Sequence, residues 1–154
     1  MSNENDEELT QVVGGLEKLP LAAGVLALIG LADAAFLTVS HYTKEPVPCS
    51  IVEGCETVLT SSYAEIAGIP IAAFGAAAYF VAFSLAILAA YGNRLAWTLF
   101  GVQAFIMAAV SGYLIYVQAF VIGAFCQFCL ISAATSMGLF LIFVISKFAG
   151  GARS

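Results

Sequence analysis

The chain is predicted to be an all-α integral membrane protein, a four-transmembrane-helix bundle, and three observations carry that prediction. Of its 154 residues, 62% are hydrophobic and only 10% charged. Its mean hydropathy is +1.00, far outside the soluble globular range. The apolar residues fall into runs that suffice for four spans, each needing about 20 residues to cross a bilayer. Little is left for a soluble domain. The expected surroundings are therefore the lipid bilayer, and no nucleic-acid partner is expected of a chain with net charge −5.

Each element has a local reason. Residues 1–18 are polar and acidic (Glu4, Asp6, Glu7, Glu8, Glu17) and lack the basic start of a cleavable signal, which predicts a disordered tail. Pro20 opens the first span, about Leu21 to Ser40, because proline is tolerated in a first helical turn. His41 to Gly68 holds most of the interior polar residues and is expected as a loop at a membrane surface. Within it, Ser62 and Glu65 have capping-box spacing and Gly68 can supply a left-handed stop, so a short surface helix is expected. Pro70 begins the second span, about Ile71 to Tyr91, and Gly92-Asn93-Arg94 is a tight turn. Leu95 to Ser146 has no charged residue. That length fits two spans, at about Leu95–Val117 and Val121–Ser146, with the break near Gln118 to Gly123. The membrane domain is thus read as 19–148, with a short tail at 149–154.

Lys18, Arg94, Lys147 and Arg153 fall on one side of this topology and Lys44 alone on the other. The positive-inside rule then places both termini in the cytoplasm. The 41–68 loop and the start of the fourth span share the outer face, so all four cysteines gather in an oxidising compartment.

Those cysteines are the candidate chemistry. Cys126 and Cys129 are three apart near a helix N-terminus, where the dipole favours a thiolate on the first of them. Redox exchange is one reading of such a pair; a structural or metal-binding pair is the other. Cys49 and Cys55 lie in a segment whose Pro48 and Gly54 allow a compact turn that can bring its ends to disulfide distance, where a structural staple is the bland alternative.

The order Cys49-x5-Cys55, then Thr60-Ser61-Ser62-Tyr63-Ala64-Glu65-Ile66-Ala67-Gly68-Ile69-Pro70, then Cys126-Gln127-Phe128-Cys129-Leu130 before a last span, resembles the vitamin K epoxide reductase family, in particular its prokaryotic members, from about Leu21 to Ser146. The resemblance implies a four-helix bundle around a quinone, menaquinone or ubiquinone, in a prokaryotic plasma membrane. It implies Cys126 and Cys129 as the active pair, and Cys49 and Cys55 as a shuttle that oxidises a thioredoxin-like protein. Electrons would pass from Cys55 to Cys126, with Cys129 lying against the quinone ring, in support of disulfide bond formation. Many bacterial members carry a fused thioredoxin-like domain that this sequence lacks, so a separate partner is expected. Vertebrate members place a tyrosine four positions after the second CxxC cysteine to bind the quinone carbonyl. Ala133 stands there, leaving that donor unidentified.

Supporting residues carry two readings each. Ser61 matches the family's serine near the quinone and is otherwise a loop cap. Tyr63 shields the site or anchors the interface. Asp33, midway along the first span, serves a proton path or a structural hydrogen bond. His41 relays protons or is solvated at the interface. Phe36, Phe74, Tyr79, Tyr113, Phe125 and Phe128 wall a quinone pocket or pack and meet lipid. Two other classes compete with the oxidoreductase: a metal-handling protein presenting four thiolates to a soft cation, against which the lack of Met-rich or His-rich segments counts, and a structural protein with two inert disulfides. No bound metal is expected.

Overall fold

The computed structural model describes residues 2–44, 57–58 and 60–151, with side chains from residue 18 to residue 148. Among the described residues, four long helices form the fold: α1 (Ser2–Thr43), α2 (Ile71–Ala90), α3 (Arg94–Tyr116) and α4 (Gln127–Gly151). A wide helical turn, Val117–Ile122, extends α3. The stretches long and apolar enough to cross a membrane are Lys18–Thr43, Ile71–Ala90, Arg94–Ile122 and Gln127–Phe148. The protein is a four-helix membrane bundle.

The helices pack as a ring: α1 on α2, α2 on α3, α3 on α4, and α4 back on α1. Small residues line the seams. Ala23, Ala27 and Ala34 of α1, Ala82 and Ala86 of α2, and Ala104 of α3 are buried, which lets backbones approach closely where lipid offers no hydrophobic drive. Larger side chains fill two gaps. Tyr79 rests on Gly30, and Phe143 rests on Gly101 within the Trp97–Phe100–Phe143 cluster. Outward positions such as Val25, Leu95 and Phe120 are apolar and exposed, the surface a bilayer solvates.

Three expectations are corrected. Pro20, expected to open the first span, lies inside α1, whose backbone runs from Ser2. A Glu- and Leu-containing run has ample helix propensity, and extending an existing helix avoids the cost of nucleation. The fourth helix begins at Gln127 rather than Val121. The wide turn carries the third helix on to Ile122, and Gly123 then takes a left-handed φ of 73° that ends it. The Ser62–Glu65 capping box does not form. Ser61 precedes a single 3-10 turn, Ser62–Ala64, and Glu65 enters a two-stranded hairpin, β1 (Glu65–Ile66) with β2 (Ile69–Pro70). Gly68, at φ 81°, and Ala67, at φ 54°, are the central residues of that hairpin turn rather than a helix stop; two positive φ angles suit the right-handed strand twist.

In a ring of alternating helices, the C-terminal ends of α1 and α3 share one end of the bundle with the N-termini of α2 and α4. The hairpin and the Cys126–Cys129 motif lie at that end.

Candidate functional site

Cys126 is the residue just before α4. Its carbonyl accepts the first helical bond, from Leu130 N–H at 3.0 Å, and its sulfur accepts from Cys129 N–H at 3.4 Å. A serine oxygen would serve this capping role in a soluble helix; here a thiol occupies it. Cys126 lies ahead of the fourth span, and its thiol is held below the ordinary thiol range by the hydrogen bond from the Cys129 side chain and by the Cys129 and Phe128 amides, against the opposing effect of burial. The helix N-terminus favours the same anion.

The two sulfurs face different surroundings. Cys126 is fully buried in a small cluster with Val58, packed against Ile122, Ala124, Phe128 and Cys129. Val58 stands three residues after Cys55 in sequence. Cys129 instead lines a cavity of about 300 Å³ to which all four helices contribute residues. Ser61 joins the two environments: its hydroxyl donates to Val58 O at 2.7 Å, and it also lines the cavity.

The cavity walls are mostly apolar, among them Leu37, Phe74, Met107, Val110 and Leu114, with a few polar groups. Tyr79 donates to Ser132 O at 2.6 Å, and its oxygen lies 3.0 Å from Ser132 Oγ and 2.9 Å from Ser136 Oγ. Gln118 is tied to the break before α4 by three amides. Its backbone carbonyl accepts from Gly123 and Ala124 at 2.9 and 3.2 Å, and its side-chain Oε1 accepts from Cys126 N–H at 3.0 Å.

The residues singled out from sequence fall into groups. Ser61, Tyr63, His41, Phe74 and Tyr79 line the cavity with Cys129. Phe36 and Phe128 meet as a tilted ring pair, centroids 5.3 Å apart, between α1 and α4 and outside that lining; Phe125 and Tyr113 are also outside it. His41 meets Glu65 at 2.7 Å, joining α1 to the hairpin. Asp33 also stands outside the cavity lining, and its buried Oδ2 has no hydrogen-bond partner among the described residues. Cys49 and Cys55 lie outside the described residues. Sequence reading passed over Gln118, Ser132 and Ser136, whose partners lie in other segments.

These features define a class: a four-helix membrane bundle that presents a thiol pair at a helix N-terminus, one sulfur beside an apolar cavity. The chain belongs to the Vitamin K epoxide reductase family, whose profile matches residues 21–144. It is also similar to the thiol-disulfide oxidoreductase LTO1 of Arabidopsis thaliana, 33% identical over 124 residues, which cover 74% of this chain and 33% of that protein. The chain therefore spans about a third of that relative's length.

Proposed function

We propose that the chain is a thiol oxidoreductase that takes electrons from a thioredoxin-like protein on the outer face of a prokaryotic plasma membrane and delivers them to a membrane quinone. The observation that carries this reading is the division of the CxxC motif, with Cys126 in the Val58 cluster and Cys129 on the cavity wall. Family membership and the name of the Arabidopsis relative support it.

The loop pair does the first exchange. A partner dithiol attacks the Cys49–Cys55 disulfide at Cys49, leaves as a disulfide, and leaves Cys49 and Cys55 as thiols. The Cys55 thiolate then attacks Cys126 in a Cys126–Cys129 disulfide and releases Cys129 as thiolate. Cys49 resolves the mixed disulfide, which restores Cys49–Cys55 and leaves Cys126 and Cys129 reduced. Chain connectivity favours the transfer, because three extended residues from Val58 reach at most roughly 10 Å, and Val58 packs on Cys126. Cys126 is suited to receive and release electrons because its thiolate is capped, and a better-stabilised thiolate is also the better leaving group.

The cavity fits a quinone head. Its volume of about 300 Å³ is at the lower end of ligand pockets, roughly 300–1,000 Å³, and such pockets are mainly apolar with a few placed polar groups. A quinone bound there would supply a two-electron, two-proton sink, which matches the two electrons and two protons held by the reduced pair. Cys129 is the sulfur that faces it. The walls are mainly apolar, and Tyr79 with Ser132 and Ser136 supplies a hydrogen-bonded polar group among them.

The test is anaerobic quinone reduction by purified protein with a small dithiol as donor. Cys126→Ala and Cys129→Ala are expected to abolish it. Cys49→Ala is expected to block turnover with a thioredoxin-like protein and to spare turnover with the small dithiol. A normal rate in Cys129→Ala would overturn the assignment.

A further inference from the structure

Gln118 is 3% exposed and lines the cavity. The direction of its carboxamide is set by its partner. Cys126 N–H can only donate, so the atom 3.0 Å from it is Oε1, and Nε2 points the other way. Among the described residues Nε2 donates no hydrogen bond. Were it sealed in apolar surroundings it would be an orphaned buried donor, which folded proteins avoid. The orphaned buried side-chain atom among the described residues is Asp33 Oδ2, so Gln118 Nε2 opens onto the cavity.

Most other cavity donors are engaged or distant, and Tyr63, an exposed residue of the 3-10 turn, is not joined to the CxxC segment by any hydrogen bond among the described residues. The Tyr79 proton goes to Ser132 O, that of Ser61 to Val58 O, and His41 is taken by Glu65. Ser111 and Gln103 lie on α3 roughly 10 and 22 Å back along the helix from Gln118, at about 1.5 Å per residue. Gln118 is the donor tethered to the CxxC motif itself.

We propose that Gln118 is the carbonyl-binding residue of the cavity: Nε2 donates a hydrogen bond to one carbonyl oxygen of a quinone while Oε1 remains on the Cys126 amide. The proposal rests on the quinone reading above and supplies the donor that Ala133 does not. One carboxamide then holds both the start of the CxxC helix and the ring, which keeps the ring in register with Cys129 three residues on. A donor at that oxygen also favours the negative charge that develops there on reduction.

The test uses the full chain, purified in detergent, with tetramethylbenzoquinone carrying ¹³C at both carbonyls. Infrared spectra of the bound quinone should show two carbonyl bands, one lowered by the hydrogen bond and one at the free value. In Gln118→Met the lowered band should return to the free value, and KM should rise about tenfold, equivalent to about 1.4 kcal/mol, with a smaller fall in kcat. Two unshifted carbonyls in the unaltered protein would overturn the inference, as would a Gln118→Met protein in which only the alkylation rate of Cys126 changes. If that variant fails to fold, ¹⁵N labelling of glutamine side chains in the unaltered protein replaces it: quinone must shift one amide signal, and no shift refutes the proposal. Unaltered protein that reduces quinone with unshifted carbonyls sinks this inference alone. Unaltered protein that neither binds nor reduces quinone sinks the functional reading beneath it.

Discussion

The Tyr79 hydroxyl donates to the Ser132 carbonyl oxygen at 2.6 Å, crossing from α2 to α4 beneath α1. The ring passes so close to Gly30 that a Cβ there would clash with Tyr79 Cε1. Three helices are thereby registered around one buried side chain, on the inner wall of the cavity that Cys129 lines.

Gly30→Ala is therefore expected to destabilise the bundle by about 1–3 kcal/mol, the usual cost of overpacking. Thermal unfolding in detergent measures it. Adding Tyr79→Phe should not add its full separate cost, because both changes act on the same contact. Strict additivity would show that the ring had already moved.

The reactivity of Cys126 should depend on pH in a stated direction. A thiolate forms above its pKa, and the Cys126 value is lowered chiefly by the Cys129 side chain. With Cys49 and Cys55 replaced by serine, the thiolate absorbance of Cys126 should persist at neutral pH above the roughly 3% expected of a free thiol with pKa about 8.5, and should be lost as pH falls through the lowered value. Cys129→Ala should move that midpoint upward. An unchanged midpoint would show that the helix terminus alone stabilises the anion.

Ser61→Ala removes the 2.7 Å bond that holds the Val58 carbonyl. Because Val58 packs on Cys126, turnover with a thioredoxin-like protein should fall several-fold more than turnover with a small dithiol. Parallel steady-state assays decide it; equal losses would place Ser61 in the quinone step instead.

Asp33 places in the first span a buried carboxylate oxygen without a partner among the described residues. An unsatisfied buried polar group costs about 1–3 kcal/mol, and lipid makes ionisation there expensive. Asp33→Leu is expected to raise the unfolding temperature, read by thermal denaturation in detergent. A lowered temperature would reveal a stabilising partner for the carboxyl group.

Four spans were legible in the chain because bilayer thickness sets the length of an apolar run, and runs from Lys18, Ile71, Arg94 and Gln127 meet it. The uncharged stretch from Leu95 to Ser146 hid its internal boundary, since no charge marks where one helix yields to the next. The wide turn at Val117–Ile122 and left-handed Gly123 decide it. Ser62 and Glu65 had capping-box spacing, yet the backbone at Glu65 is extended, and its carboxylate meets His41 from another element.

Taken alone, the order of residues determined the class of fold, its membrane setting and the two cysteine pairs, because hydropathy and local spacing act over one helix or loop at a time. Only the tertiary structure decided that Cys126 and Cys129 face different surroundings, that Gln118 spans the break to Cys126, and that Tyr79 reaches Ser132 and Ser136. Those relations join separate helices or cross a break between them, and they exist only once packing has brought the segments together.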